Sequence, residues 1–258
     1  MKTADVITHI TNWLKDYSNQ SGTNGFVVGI SGGVDSAITS TLCALTGKNV
    51  LCLLMPIHQH QNEFDRSRDH AEWLKDKFSN VSFCTTNLSE AFDTLSKQIP
   101  TDLQNDLTMA NTRARIRMTT LYAYASAKGM LVAGTGNKVE DFGVGFYTKY
   151  GDGGVDLSPI ANLMKSEVFE LAKEMGIINA IQCAAPTDGL WADGRNDEDQ
   201  LGATYDELEW AMNEYAISTK NRFNGRQKEV FKIFTQLHNA NRHKMEVIPV
   251  CFIPENLK

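Results

Sequence analysis

The 258-residue sequence predicts an α/β fold, a doubly wound parallel sheet flanked by helices. Three observations predict it. Short continuous apolar runs recur at strand length, helical periodicities lie between them, and a glycine-rich turn joins the first run to the helix after it. Runs that are apolar throughout, rather than alternating, belong to strands covered on both faces, as in a parallel sheet.

Val6, Ile7, Ile10, Trp13 and Leu14 recur at helical spacing and predict a first helix, stopped by Ser21-Gly22-Thr23-Asn24-Gly25. Phe26-Val27-Val28-Gly29-Ile30 then predicts a buried strand. Beyond the glycine turn, residues 37–45 read as helix, Gly47-Lys48-Asn49 as a turn and residues 50–55 as a second buried strand, completing a βαβ unit. A charged helix at about 63–78, a strand at 81–85 and a helix from near Leu88 repeat the pattern. Residues 109–128 predict a longer helix with Ala110, Ala114, Met118, Leu121 and Ala125 on one face, followed by a strand at 130–133. Residues 134–158 are glycine-rich and too long for a simple connector, the mark of a functional loop. Met164, Val168, Leu171, Ala172 and Met175 share a helix face that Gly176 ends. Residues 186–200 are polar and acidic around Trp191 and predict a mobile lid or an exposed loop. Helices at about 205–215 and 227–238 and a proline-containing tail follow.

Bulk properties narrow the function classes. The chain is long enough to bury a substantial core, and a single domain spanning 1–258 is expected. Lys and Arg total 25 against 31 Asp and Glu, so the net charge of -6 argues against a broad nucleic-acid surface, and any anion site must be local. Cys43, Cys52, Cys84, Cys183 and Cys251 are scattered, without a C-x-x-C pair, and read as reduced cytosolic cysteines rather than a zinc site. Residues 1–20 lack the apolar core of a signal peptide, and no run reaches the ~18 apolar residues of a membrane span. A cytoplasmic protein that engages neither membrane nor nucleic acid is expected.

The turn Ser31-Gly32-Gly33-Val34-Asp35-Ser36 carries the first chemistry. A glycine turn between strand and helix exposes backbone N–H groups at the positive end of the helix, a ready anion site. It is neither a Walker A loop nor a G-x-G-x-x-G turn, and it holds an acid among the donors. A carboxylate beside phosphate is repulsive unless a cation lies between them, so Asp35 suggests a Mg²⁺ shared with a nucleotide. A first-turn acid that stabilises the helix dipole is the alternative for Asp35.

That turn, after an apolar strand, resembles the pyrophosphate loop of the N-type ATP pyrophosphatases, which cleave ATP between the α and β phosphates to adenylylate a carbonyl oxygen. Their fold is adenine nucleotide alpha hydrolase-like, a Rossmann-like arrangement. A second stretch separates the members of that superfamily. Gly134-Thr135-Gly136-Asn137-Lys138-Val139-Glu140, then Thr148-Lys149-Tyr150-Gly151-Asp152-Gly153-Gly154-Val155-Asp156-Leu157-Ser158-Pro159-Ile160, resembles the ammonia-dependent NAD synthetases. Lys165, Pro186-Thr187, Asp197-Glu198 and His243-Lys244 continue the likeness.

The resemblance implies that ATP is bound by Gly29, Ile30, Ser31, Gly32, Gly33, Val34, Asp35, Ser36, Thr135, Lys165 and Thr187. Asp35, Lys165 and Thr187 are the implied catalytic residues, and Asp35 and Glu140 the implied Mg²⁺ ligands. Deamido-NAD would meet Arg115, Lys149, Asp156, His243 and Lys244, near the interface of a homodimer. Two positions depart from the family pattern. One extra residue lies between Glu140 and Thr148, which leaves Asp141 as an alternative to Glu140, and Met245 stands where a third basic residue is common. Arg113, Arg115 and Arg117 are spaced by two on a helix, so Arg115 lies roughly opposite the other pair and only one side can face the site.

The implied reaction is amidation of deamido-NAD through an NAD-adenylate, giving NAD, AMP and pyrophosphate. Free ammonia is the expected nitrogen source, because the nucleotide loop begins at Ser31 and leaves little chain before it for a glutaminase. Another amidotransferase or a tRNA-modifying member of the superfamily, or a catalytically silent nucleotide-binding module, is the alternative. The acidic balance counts against tRNA.

Overall fold

The protein is described by a computed structural model covering residues 1–184, 196–217 and 223–258. Helix α1 (Thr3–Gln20) leads to strand β1 (Gly25–Gly29), helix α2 (Val34–Leu45), strand β2 (Asn49–Leu54), helix α3 (Gln61–Lys77) and strand β3 (Val81–Thr85). Helices α4 (Ser89–Ser96) and α5 (Asp106–Lys128) precede the short strand β4 (Leu131–Val132). The strands form one parallel sheet in the order β3-β2-β1-β4, with Val27 beside Leu51 on one side and Val132 on the other. That order places crossovers in both directions from β1, so the sheet opens at the carboxyl end of β1, where ligands of such folds bind.

Both faces of the sheet are covered, as the continuous apolar runs require. Phe26, Val28, Val50 and Cys52 point to the side packed by α1, α2 and α3, while Val27, Leu51 and Leu53 point to the side of α4 and α5. Helix α2 is buried along almost its whole length, because α1 covers one flank and α6 (Lys165–Glu174) the other. Helix α5 starts at Asn105, whose side chain accepts a hydrogen bond from the Thr108 amide, and stops at Gly129, whose φ of 63° suits a residue without Cβ.

A second, smaller core lies beside the sheet. The short helix α7 (Asn179–Gln182) follows α6, then comes α8 (Asp197–Leu201), and α9 (Tyr205–Ala216) and α10 (Gly225–Met245) pack on a π-helix, Val139–Val144. Val139, Val144, Leu201, Leu208, Val230 and Phe234 fill this annex. The π turn, with its i→i+5 pattern, takes up a longer stretch of chain than an α turn.

One expectation is corrected here. The helix expected at 227–238 runs on to Met245, so His243 and Lys244 belong to its last turn rather than to the tail. Of the lid expected at 186–200, residues 186–195 lie outside the described residues, and the remainder is the cap and body of α8, with Asp197 and Leu201 buried. No described helix is long and apolar enough to cross a membrane.

Candidate active site

The turn after β1 is closed by its own serines. The Gly33 amide donates to Ser31 Oγ at 3.2 Å, the Ser31 amide to Ser36 Oγ at 3.3 Å, and Ser36 Oγ donates to the Gly33 carbonyl at 3.0 Å. Gly32 is required twice over. Its φ is 87°, and a Cβ there would lie 2.8 Å from the Glu63 carbonyl oxygen and 2.9 Å from Ser67 Oγ. Helix α3 therefore sits directly against the turn. Gly33 caps α2 without a side chain, which leaves the first amides of that helix directed at the cavity.

A cavity of about 240 Å³ opens at this end of the sheet. Gly29, Ile30, Ser31, Gly32, Gly33, Val34, Asp35 and Ser36 line it, together with Thr135, Glu140 and Lys165. An apolar wall of Met55, Met118, Leu121 and Val155 stands beside these polar groups. One side suits a flat heterocycle and the other an anion. Thr187, expected with this group, lies outside the described residues.

The buried Lys165 joins the pieces. Its Nζ donates to Asp35 Oδ2 at 2.6 Å and to Glu140 Oε1 at 3.0 Å, and it lies 4.6 Å from the centre of the Tyr205 ring. Burial lowers the ammonium's pKa, but the two carboxylates outweigh it and hold Lys165 above its ordinary value. Burial raises Asp35, the Lys165 charge draws it back, and Glu140 raises it again. Tyr205 donates to Glu140 Oε1 at 2.6 Å and stands 3.3 Å from Asp197 Oδ2; burial and then these acids keep its hydroxyl protonated.

Glu140, not Asp141, belongs to this cluster. The Asp141 carboxylate packs against Gly136, where a Cβ would meet it at 2.1 Å, and burial with neighbouring Glu140, Asp152 and Asp35 pushes its pKa up to about 8. Asn137, fully buried, orients the cluster. Its Nδ2 donates to Asp35 Oδ1 at 3.2 Å, and its Oδ1 accepts from the amides of Val139 and Glu140, both at 3.1 Å. The sequence signalled this: Asn followed three residues later by Glu is a helix-start pattern. Nothing local signalled Tyr205, which reaches Glu140 only through the packing of the annex.

The residues expected at deamido-NAD divide. Arg115 donates to the Lys149 carbonyl at 3.3 Å, Lys149 Nζ to the His243 carbonyl at 2.7 Å, and Lys244 Nζ to the carbonyls of Gly145 and Tyr147, both at 2.8 Å. These four form a basic shelf beside the cavity, linked to it through Gly151 and Asp152. Asp156 is tied elsewhere, accepting from Tyr122 Oη at 3.0 Å and from the Val132 amide at 2.8 Å. On α5, Arg117 lines the cavity, Arg115 reaches the Lys149 carbonyl, and Arg113 lies 4.5 Å over the Phe92 ring. Arg66 and Gln59 line the cavity as well and carry no expectation from the sequence.

The donors here are of the type that magnesium takes, although only two carboxylates among the described residues converge on Lys165. Asp35 and Glu140 offer hard oxygen ligands at the turn, and the single ammonium between them leaves excess negative charge.

Comparison with known proteins agrees with the geometry. The NH(3)-dependent NAD(+) synthetase of Finegoldia magna is 37% identical over 89% of this chain and 92% of its own length. A solved NMN synthetase from Francisella tularensis superposes with a TM-score of 0.84 at 30% identity, covering 99% of both chains. The NH3-dependent NAD synthetase of Campylobacter jejuni, at 24% identity, shares the fold with a TM-score of 0.80 over 98% of this chain and all 100% of its own. Residues 6–248 match the family description of NAD synthase. With the glycine turn, the Asp35, Glu140 and Lys165 cluster and the basic shelf all lying within that span, the chain belongs to the NAD synthase family of carbon–nitrogen ligases.

Proposed function

We propose that this chain amidates deamido-NAD with free ammonia at the expense of ATP. The observation that carries the reading is the single cavity in which the self-closed turn, the apolar wall and the Lys165 cluster meet, with the basic shelf alongside. The turn's amides and serines hold the phosphates, and the apolar wall accepts the adenine. A nicotinate carboxylate oxygen attacks the α-phosphorus, and the bond to the pyrophosphate oxygen breaks. Ammonia then attacks the acyl carbon, AMP departs, and one proton is released as the amide forms.

Asp35, Lys165 and Thr187 are the residues proposed to act at the reacting phosphate, with Thr135 beside them on ATP. Lys165 would neutralise charge on the phosphates, and its charged state over the whole working pH range supports that role. Asp35 and Glu140 would hold Mg²⁺, which when bound supplies further charge neutralisation of the phosphates. Arg115, Lys149, His243 and Lys244 would receive the acceptor's phosphates, and Asp156 is proposed at the edge of the same acceptor.

A homodimer and a cytoplasmic location belong to the same proposal. The dimer is supported by the exposed apolar tail, in which Val247 is 91% and Phe252 87% exposed.

One observation favours a second reading of the acceptor. The Francisella tularensis structure carries the name NMN synthetase, so a mononucleotide acceptor is the alternative to the dinucleotide. AMP release with ammonia, measured with deamido-NAD and with nicotinate mononucleotide in turn, decides between them. Greater kcat/KM for deamido-NAD is the expected result. ATP binding without AMP release on either acceptor would sink the ligase reading.

A further inference from the structure

We propose that Arg66, on the first turns of α3, is a phosphate-binding residue for ATP, an inference that rests on the ATP site proposed above. Two independent observations place it there.

The first is position. Arg66 lines the cavity together with the 31–36 turn. Its neighbours along the helix, Glu63 and Ser67, are the groups that a Cβ on Gly32 would strike. Arg66 thus stands on the stretch of helix in direct contact with the turn.

The second is its unmet valence. The lining carries the carboxylates Asp35, Glu63, Glu140, Asp152 and Asp197. Lys165 is consumed by Asp35 and Glu140, and Arg117 Nε donates to the Met55 carbonyl at 3.1 Å. Arg66 makes no hydrogen bond or ion pair with any described residue, and its Nε is buried. A buried guanidinium N–H without an acceptor is costly, and a triphosphate on the adjacent turn supplies the acceptor. The turn itself contributes dipoles but no net positive charge, so a guanidinium at its side adds what the loop lacks. The fork geometry of Arg suits two phosphate oxygens at once.

The test is calorimetric titration, in the presence of Mg²⁺, of ATP, inorganic pyrophosphate and adenosine into the wild-type chain, Arg66→Gln and Arg66→Lys. Loss of one charge-assisted pair predicts that Arg66→Gln weakens ATP and pyrophosphate by about tenfold or more. Adenosine affinity should stay within about twofold, and Arg66→Lys should fall between, because it keeps charge without the fork. Equal ATP affinity in wild type and Arg66→Gln, with melting temperatures matched, overturns the assignment while leaving the ATP site intact. An equal loss for adenosine also overturns it, since that would mark a general disturbance of the pocket. A wild-type chain that binds neither ATP nor pyrophosphate overturns the ATP site itself, and this inference with it.

Discussion

The 31–36 turn and the Lys165 cluster face the same cavity but are built in different ways. The turn is one contiguous segment whose hydrogen bonds close within six residues, and apart from Asp35 it presents neutral dipoles. The cluster draws Asp35, Glu140, Lys165 and Tyr205 from four elements, with full charges buried together. A local, neutral device depends on backbone conformation. An assembled, charged one depends on every element that delivers a side chain, and above all on the annex that seats Tyr205. Asp35 is common to both, so the two devices meet at the first turn of α2.

The largest effect that would test this contrast is expected at Lys165. Lys165→Met keeps much of the volume but leaves two carboxylates buried without a counter-charge, a loss of about 3–5 kcal/mol by analogy with broken buried pairs. AMP release should fall by about a thousandfold. A melting temperature equal to wild type would show that the cluster is not an interdependent unit. A middle-sized and more local effect is expected at Gly32. Gly32→Ala should cost about 1–3 kcal/mol through its left-handed φ and its contacts with α3, and should remove ATP binding. Hydrogen exchange in α9 and α10 should stay as in wild type; faster exchange there would merge the two regions into one.

The effect expected only in acid, and nil near neutral pH, is a pH dependence on the turn's side of the molecule. His70 is buried, with Nε2 3.0 Å from Ser40 Oγ on α2, and burial lowers its pKa to about 4, opposed by the Ala37 carbonyl. The unfolded chain binds the proton at an ordinary pKa of about 6.5, so it takes up more protons than the native state between about 6.5 and 4. Stability from this group is complete above about pH 6.5 and falls as pH drops towards 4, by roughly 3 kcal/mol in total. Denaturant unfolding of wild type and His70→Gln at pH 7 and pH 5 measures it. Parallel losses in the two proteins would remove His70 as the cause.

The same contrast explains what could be read from the chain. The strands, α2 and α5 were legible because the periodicity of Val27, Leu51 or Ala114 reports burial directly, and the turn was legible because its residues are adjacent. Helix geometry told only that Arg115 and Arg117 point different ways; which of them lines the cavity was not legible, and the structure puts Arg117 there. Tyr205 and Arg66 were not. Their roles arise from contacts across 65 residues in one case and from α3 packing on Gly32 in the other, and neither leaves a local pattern. The extent of α10 was missed because its last turns are polar, held by bonds to main-chain carbonyls instead of an apolar stripe.

Those bonds have a consequence of their own. His238, Asn241 and Lys244 grip the carbonyls of Gly143, Val144, Gly145 and Tyr147, and Gly145 admits Asn241 because it has no Cβ. The same stretch also meets α10 through side chains, Tyr147 under the Lys244 ammonium at 5.4 Å and Phe146 against the core that holds Phe234. Because Phe146 lines the cavity as well, the last turns of α10 act as a clamp on the cavity rim, and loosening them is expected to reach the site through the main chain.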